Sequence, residues 1–305
     1  MNPKIYLRRL VNNRFRFLAI IYRKIRDMLI YIKSLTILNQ YLYGGNNYKF
    51  YGRALKKQFE SRGESGELEA IKLLFQSKYF DTFIDIGANQ GLFTLLALRE
   101  KNIKNIISVE PEQNNYELLL RNIKINNDFY FHKIIALKLG IGTQNSINDF
   151  WGGLEGGSFV KDWGGMTSTY SKQVQIISLD LLAKLWESGS NTLIKIDTEG
   201  FEENIMKGAI KTLNNQKSSF IIEISLFENK KEIDSQKYLD FFNFMFSKEF
   251  SAFSFPRFQP INFSILNYWL SSYKNKNIIY KEKSCEYSQN IFFTPNNSLL
   301  KIDQL

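Results

Sequence analysis

The chain has 305 residues, 44% of them hydrophobic and 23% charged, with a net charge of +10 at neutral pH. That is apolar matter enough for a sizeable core and excludes disorder throughout. Its one cysteine, Cys285, excludes an internal disulfide and points to a reducing compartment, while its one histidine, His132, excludes a metal site built on a histidine cluster.

Much of the charge is local. Residues 1–33 hold nine Lys or Arg against one acid, Asp27. Ile5, Leu7, Leu10, Val11, Phe15, Leu18, Ile21, Ile25, Leu29 and Ile32 recur among them at a spacing of three or four, which predicts an amphipathic helix. The longest apolar run there, Phe17 to Tyr22, is far shorter than the roughly 20 residues that span a bilayer, and no cleavage site follows it. Such a helix suits an anionic membrane surface. A helix packed on the protein's own core, or a homodimer contact, fits the same residues. No nucleic-acid motif accompanies the charge, so nucleic acid is not expected. The resulting expectation is a cytoplasmic protein, peripheral on the inner face of the membrane.

Residues 39–66, polar and glycine-containing, read as a linker, so that 1–60 form a basic extension and 61–299 the main domain. Glu67 to Gln76 reads as a helix with Leu68, Ile71, Leu74 and Phe75 on one face. Phe83, Ile84 and Ile86 form a strand that ends in Gly87-Ala88-Asn89-Gln90-Gly91, a helix follows from Leu92, and a second strand stops on Glu110. This is half of a nucleotide-binding βαβ unit. Glycines at 87 and 91 suit positive φ or close approach of a ligand, the helix N-terminus offers free N–H groups, and Glu110 stands where a carboxylate accepts ribose hydroxyls. A dinucleotide fingerprint needs glycine where Asn89 and Leu92 stand. Asn89 therefore favours S-adenosylmethionine over NAD, the plain alternative being a simple strand-to-helix turn.

Pro111 opens a helix that ends near Asn126, and Tyr130 to Leu139 is a third strand. Between 140 and 173, Ser146 to Trp151 alternates like a strand, but six glycines between 152 and 165 predict a mobile loop. Val174 to Leu179 is a strand followed by a helix from Asp180 to Trp186. Leu193 to Asp197 is a fourth central strand emptying into Thr198-Glu199-Gly200 and a helix from Phe201 to Leu213, and Phe220 to Ile224 is a fifth. Strands alternating with helices imply a doubly wound parallel sheet, which collects Gly87, Glu110, Asp197, Glu199 and Glu223 on one rim. Residues 238–293 hold 17 of the 46 aromatics. Tyr238, Phe241, Phe242, Met245 and Phe246 have core-helix spacing, 256–287 reads as an aromatic insertion suited to stacking on a sugar or to core filling, and Ser288 to Thr294 is a last strand.

The run Asp85-Ile-Gly-Ala-Asn-Gln-Gly-Leu-Phe-Thr94, then Val109-Glu110-Pro111-Glu112 with Asn122 and Asn126, Ser178-Leu-Asp-Leu-Leu182, Lys195-Ile-Asp-Thr-Glu-Gly200 and Lys207-Gly208-Ala209 resembles the FkbM family of methyltransferases over about residues 64–225. The resemblance implies a class I, Rossmann-like methyltransferase fold with a mostly parallel seven-stranded sheet, and S-adenosylmethionine-dependent O-methylation of a sugar, glycan or related small-molecule hydroxyl. It implies that Asp85, Gly87, Asn89 and Gly91 hold the methionine part of the cofactor and Glu110 the ribose. Ala136-Leu137-Lys138 departs from the polar residue often found after the third strand, leaving adenine to backbone groups and apolar contact from Pro111 and Ala136.

An alcohol nucleophile must lose a proton, which calls for a base or a metal. Asp197, Glu199 and Glu223 are the candidate bases, with Lys195 on the same side of its strand as Asp197 and able to orient it. Glu199 can equally serve as an acid in the first turn of a helix. A divalent cation held by the three acids is the alternative, though no metal site is assigned. His132 fits a satisfied core histidine better than a base. Two other readings stand beside the methyltransferase: an NAD-linked oxidoreductase, and a non-catalytic membrane-surface module that binds glycans.

Overall fold

The computed structural model describes residues 21–22, 25–26, 28–126, 132–153, 156–163, 171–186, 190–224, 235–274 and 289–302. Helical backbone at 21–22, 25–26 and 28–36 (the last termed α1) precedes a hairpin, β1 (Leu38–Tyr43) and β2 (Asn46–Tyr51), and two helices, α2 (Arg53–Glu64) and α3 (Glu67–Gln76). The alternating part begins with β3 (Thr82–Ile86), α4 (Leu92–Ala97), β4 (Asn105–Val109), α5 (Gln113–Asn126) and β5 (Lys133–Leu137). Four further strands intervene: β6 (Gly140–Gly142), β7 (Ser146–Gly153), β8 (Gly156–Ser158) and β9 (Ser171–Ser178). The chain then continues through α6 (Leu179–Leu182), β10 (Thr192–Ile196), α7 (Glu202–Lys207), α8 (Ile210–Asn214) and β11 (Ser218–Glu223). It closes with α9 (Ser235–Ser247), β12 (Phe250–Phe255), β13 (Pro260–Ile261), α10 (Phe263–Lys274) and β14 (Asn290–Pro295).

The main sheet runs β13-β12-β14-β11-β10-β3-β4-β5. The chain enters at β3, builds outward through β4 and β5, then returns to the other side of β3 with β10 and β11. All these neighbours pair in parallel, and β14 inserts antiparallel between β11 and β12. Apart from the two-residue β13, this is the strand order of a class I methyltransferase, with the topological switch between β3 and β10. A ligand site lies at such a switch, at the carboxyl ends of the strands.

Alternation along each strand divides the core in two. Ile84, Ile86, Ile194 and Ile196 face the layer with α6 to α10, while Phe83 and Leu193 face the layer with α2 to α5. Within that second layer Phe75 meets Phe83 edge-on, with ring centroids 4.9 Å apart, so α3 covers the first strand of the sheet.

Four expectations change. The sheet has eight strands, not seven, because Pro260 and Ile261 add a short edge to β12. Residues 39–66 are a hairpin and a helix, not a linker: Tyr48, Phe50, Leu55 and Phe59 are buried and pack on the α4–α5 side. The 140–173 stretch, where described, is a four-stranded sheet of order β6-β9-β7-β8, not a mobile loop. Its glycines make room for rings: a Cβ at Gly140 would stand 2.4 Å from Phe159, and one at Gly157 2.4 Å from Phe150. Finally, the helix expected over 201–213 breaks at Gly208, where a Cβ would lie 2.1 Å from the Gly142 carbonyl oxygen.

Phe241, Phe242, Phe250, Phe255, Trp269, Phe292 and Phe293 are all buried, so the described aromatic tail is mainly core. Residues 275–287, Cys285 among them, lie outside the described residues, as does most of the basic segment 1–33.

Candidate active site

The site grows from two turns at the switch point. After β3, Gly87 and Gly91 have φ of 81° and 99°, and Asn89, though not a glycine, has φ of 50°. The reason for Gly87 is the neighbouring strand end: a Cβ there would lie 1.9 Å from the Asp197 carbonyl oxygen. After β10 the chain repeats the device with Glu199 at φ 56° and Gly200 at φ 96°. Left-handed non-glycine residues carry strain that the surroundings must hold, and they gather at functional sites.

On the β3–β4 side, Asp85 Oδ2 accepts from Thr94 N (3.1 Å) and Thr94 Oγ1 (2.7 Å), which fixes the first turn of α4 to the strand. Burial pushes its carboxyl above the usual range, against the pull of Lys195. Its other oxygen, Oδ1, and Asn89 Oδ1 are buried acceptors with no hydrogen-bond partner among the described residues. Glu110 leans back over the turn: Oε2 accepts from Asn89 N (2.8 Å) and Oε1 from Glu112 N (2.8 Å). Burial pushes Glu110 up to about 8 despite these donors. Pro111 is half-buried beside it. Ala136 sits one residue inside the end of β5, where its carbonyl accepts from Tyr116 Oη (3.2 Å).

On the β10–β11 side, Asp197 Oδ2 takes two cations at once, Lys195 Nζ at 2.8 Å and Arg62 Nη2 at 2.9 Å. Lys195 is 2% exposed, on the strand face shared with Asp197, with its ammonium 4.5 Å from the centre of the Phe93 ring. Arg62 reaches in from α2, bonds Glu67 Oε1 at 2.6 Å, lies 3.9 Å from Glu223 Oε2 and also stands over Phe93. Burial alone would raise the Asp197 carboxyl, but Lys195 and Arg62 hold it well below the usual range. Glu223, hydrogen-bonded to Asp197, shows the converse: that charge, and then burial, push it up to about 9. The two carboxyls thus share one proton at neutral pH.

Glu199 stands apart. The residue as a whole is exposed, but its carboxyl turns in against the fold: Oε2 accepts from Trp163 Nε1 at 3.0 Å, and the backbone oxygen accepts from Ser158 Oγ at 2.7 Å. Burial, then the Asp197 charge, make its carboxyl more basic than usual. The helix-opening duty that was the alternative reading of Glu199 belongs to Glu202, whose Oε1 accepts from Thr198 N, Thr198 Oγ1 and Gly200 N at 2.9, 3.0 and 3.2 Å.

The structure therefore brings Asp85, Asn89 and Glu110 together on one side of the switch, and Lys195, Asp197 and Glu223 on the other, with Glu199 at the mouth. Sequence reasoning missed Arg62, Phe93, Trp163 and the pair formed by Lys172 Nζ and Glu112 Oε1 (2.8 Å), which ties the inserted sheet to the start of α5. Among the described residues no group of three His, Cys, Asp or Glu is placed to hold a metal ion. The acids read as an alternative cation site are compensated by Arg62 and Lys195 instead. His132 lies elsewhere, its ring nitrogens against the Ile103 and Leu98 carbonyls.

Several motif residues prove structural. Asp180 caps α8 through Lys211 N and Thr212 N. Asn122 and Asn126 bind the backbone of β2, as described below.

A family model described as the methyltransferase FkbM domain matches residues 85–252, more than half of the chain. The hexuronic acid methyltransferase AglP of Haloferax volcanii is 24% identical over 178 residues, 57% of this chain and 68% of that protein. Among solved structures, the methyltransferase FkbM of Methylobacillus flagellatus aligns with a TM-score of 0.40 at 18% identity, over 55% of this chain and 37% of that one. An O-methyltransferase of Bacillus cereus in complex with SAH aligns at 0.38 and 13% identity, over 65% of this chain and 81% of that one. This chain thus spans little more than a third of the Methylobacillus structure.

Proposed function

The chain belongs to the FkbM methyltransferase family, and from that premise we propose that it moves a methyl group from S-adenosylmethionine to a hydroxyl of a sugar or glycan. The observation that carries the cofactor assignment is the pair of buried acceptors, Asp85 Oδ1 and Asn89 Oδ1, left without partners beside the Glu110 carboxylate. Buried acceptors are costly unless a donor meets them, and an amino-acid ammonium and ribose hydroxyls are donors. Asp85, Asn89 and the turn at Gly87 would hold the methionine part, and Glu110 the ribose. Bound there, the sulfonium supplies an electrophilic methyl group.

The chain's own work is positioning and proton removal. Asp197, locked between Lys195 and Arg62, is a poor base because its carboxylate is so well stabilised. It serves as the fixed anion that holds Lys195, Arg62 and the protonated Glu223 in place. Glu199 combines raised basicity, exposure at the mouth and a restraining indole N–H, so we assign it the acceptor hydroxyl's proton. A sugar acceptor is supported by the name of the Haloferax relative, whose substrate class is a hexuronic acid.

The test joins calorimetry of S-adenosylmethionine binding to transfer of labelled methyl onto a panel of neutral and uronic-acid glycosides. Cofactor binding with a methyl ether product is expected. No cofactor binding by the wild-type chain overturns the assignment, and a methyl ester product overturns O-alkylation of a hydroxyl.

A further inference from the structure

The N-terminal helix is mounted with its apolar side outward. Its inward side is mixed: the Tyr31 hydroxyl donates to Glu117 Oε2 on α5, Ser34 is 5% exposed, and Ile30 and Leu35 are half-buried. The opposite face carries Ile25, Met28, Leu29 and Ile32, between 48% and 57% exposed, and Ile21 at 38% precedes them at helical spacing. β1 adds Leu38 at 47% and Leu42 at 79% on its outward alternate positions. A helix stabilised only by its own domain would bury such a stripe. Here the stripe is left for something else, since large apolar patches on a surface mark interaction sites.

Charge selects the occupant. The first 33 residues carry nine Lys or Arg and one acid. A second copy would carry the same surplus of positive charge in the same segment and so offers it no opposite charge. A bilayer rich in acidic lipid offers the opposite charge together with an apolar depth for the stripe. We propose that α1 and the helical backbone at 25–26 before it lie in the surface of an anionic lipid bilayer, with Ile25, Met28, Leu29 and Ile32 at the boundary of headgroups and acyl chains. Because Tyr31 holds Glu117 on α5, the helix that starts just after Glu110, the membrane-bound chain carries its rim at a fixed place relative to the lipid surface. The docking itself does not depend on which reaction that rim performs.

The test uses the full chain and vesicles of phosphatidylcholine alone or mixed with phosphatidylglycerol. The wild type is expected to sediment with the mixed vesicles, to release at high salt, and to ignore the neutral ones. Leu29→Glu and the triple variant Ile25→Glu/Leu29→Glu/Ile32→Glu are expected to weaken partitioning, by roughly tenfold or more per substitution, since moving one large apolar side chain out of water is worth a factor of that order. These positions are exposed, and unchanged S-adenosylmethionine calorimetry and thermal melting report an intact fold. A wild type that binds neither vesicle refutes the proposal without recourse to variants. So does equal binding by wild type and variants. A concentration-dependent dimer in lipid-free light scattering, abolished by the triple variant, would assign the face to a second copy instead.

Discussion

Replacing Glu110 by glutamine separates its charge from its shape. In the cofactor-free protein, burial holds the Glu110 proton until about pH 8, whereas two hydroxyl donors from a ribose demand the ionised form. Binding must therefore expel the proton, and affinity rises with pH until the carboxyl is already ionised. One pKa unit corresponds to about 1.36 kcal/mol, so between about pH 8 and about pH 6 the wild-type affinity falls up to roughly a hundredfold, or about 2.7 kcal/mol. Glutamine is neutral throughout, so this slope disappears. It also loses the charged hydrogen bonds, which lowers affinity at pH 8 by about 1.5–3 kcal/mol. Calorimetry of S-adenosylmethionine binding across this range, in buffers of different ionisation enthalpy, reads both the slope and the released proton. Identical slopes in wild type and Glu110→Gln would refute the reasoning. The same shift has a stability sign: a carboxyl raised when folded favours the native state least above about pH 8, and that disadvantage fades as pH falls towards the ordinary glutamate value.

Arg62→Met should destabilise the fold by about 3–5 kcal/mol, because it leaves Asp197 and Glu67 buried without their guanidinium; urea unfolding showing a loss below about 1 kcal/mol would contradict the ion-pair geometry. Glu223→Gln mimics the protonated partner of Asp197. Since the native pKa of about 9 lies above the ordinary value, the wild type loses stability as pH rises through the window between them, and the variant, which keeps the Glu110 contribution but lacks that of Glu223, should lose less; parallel melting curves of the two proteins against pH would disprove this. Trp163→Phe removes the N–H that lowers the Glu199 pKa, so the acid limb of the kcat profile should move to higher pH with little change in cofactor affinity; an unmoved limb would remove Glu199 from the role of base.

The turn proposed to hold the cofactor was legible as a structure because it is local: a strand, a two-glycine turn, a helix and an acid at the next strand end all follow one another in the chain. Lys195 and Asp197 were legible through the period of two. Arg62 was not, because its helix lies inside the stretch 39–66, whose glycines and polar residues resemble a linker. The signals were present in the alternation of Tyr48 and Phe50 and the four-residue spacing of Leu55 and Phe59, all buried. Trp163 was obscured differently. The six glycines of 152–165 were read as freedom, when Gly157 yields space to Phe150, as Gly140 and Gly200 on either side of that stretch do to Phe159 and the Trp163 ring itself. β12 escaped notice among the aromatics of the tail, where six consecutive residues from Phe250 pair with β14.

The two asparagines of α5 act as a surrogate strand. Asn122 accepts from Tyr51 N and donates to the Tyr51 and Gln90 carbonyls; Asn126 accepts from Lys49 N and donates to the Lys49 carbonyl. One turn apart on the helix, their amides satisfy alternate peptide units of β2 as a neighbouring strand would, which closes an edge otherwise open to pairing with another chain. Since Asn122 also grips the turn after β3 through Gln90, the hairpin cannot peel away without stranding polar groups beneath that turn. Hairpin and turn should consequently open as one cooperative unit, the amides of Lys49 and Tyr51 exchanging their hydrogens at the pace of the central sheet and not at that of a frayed terminus.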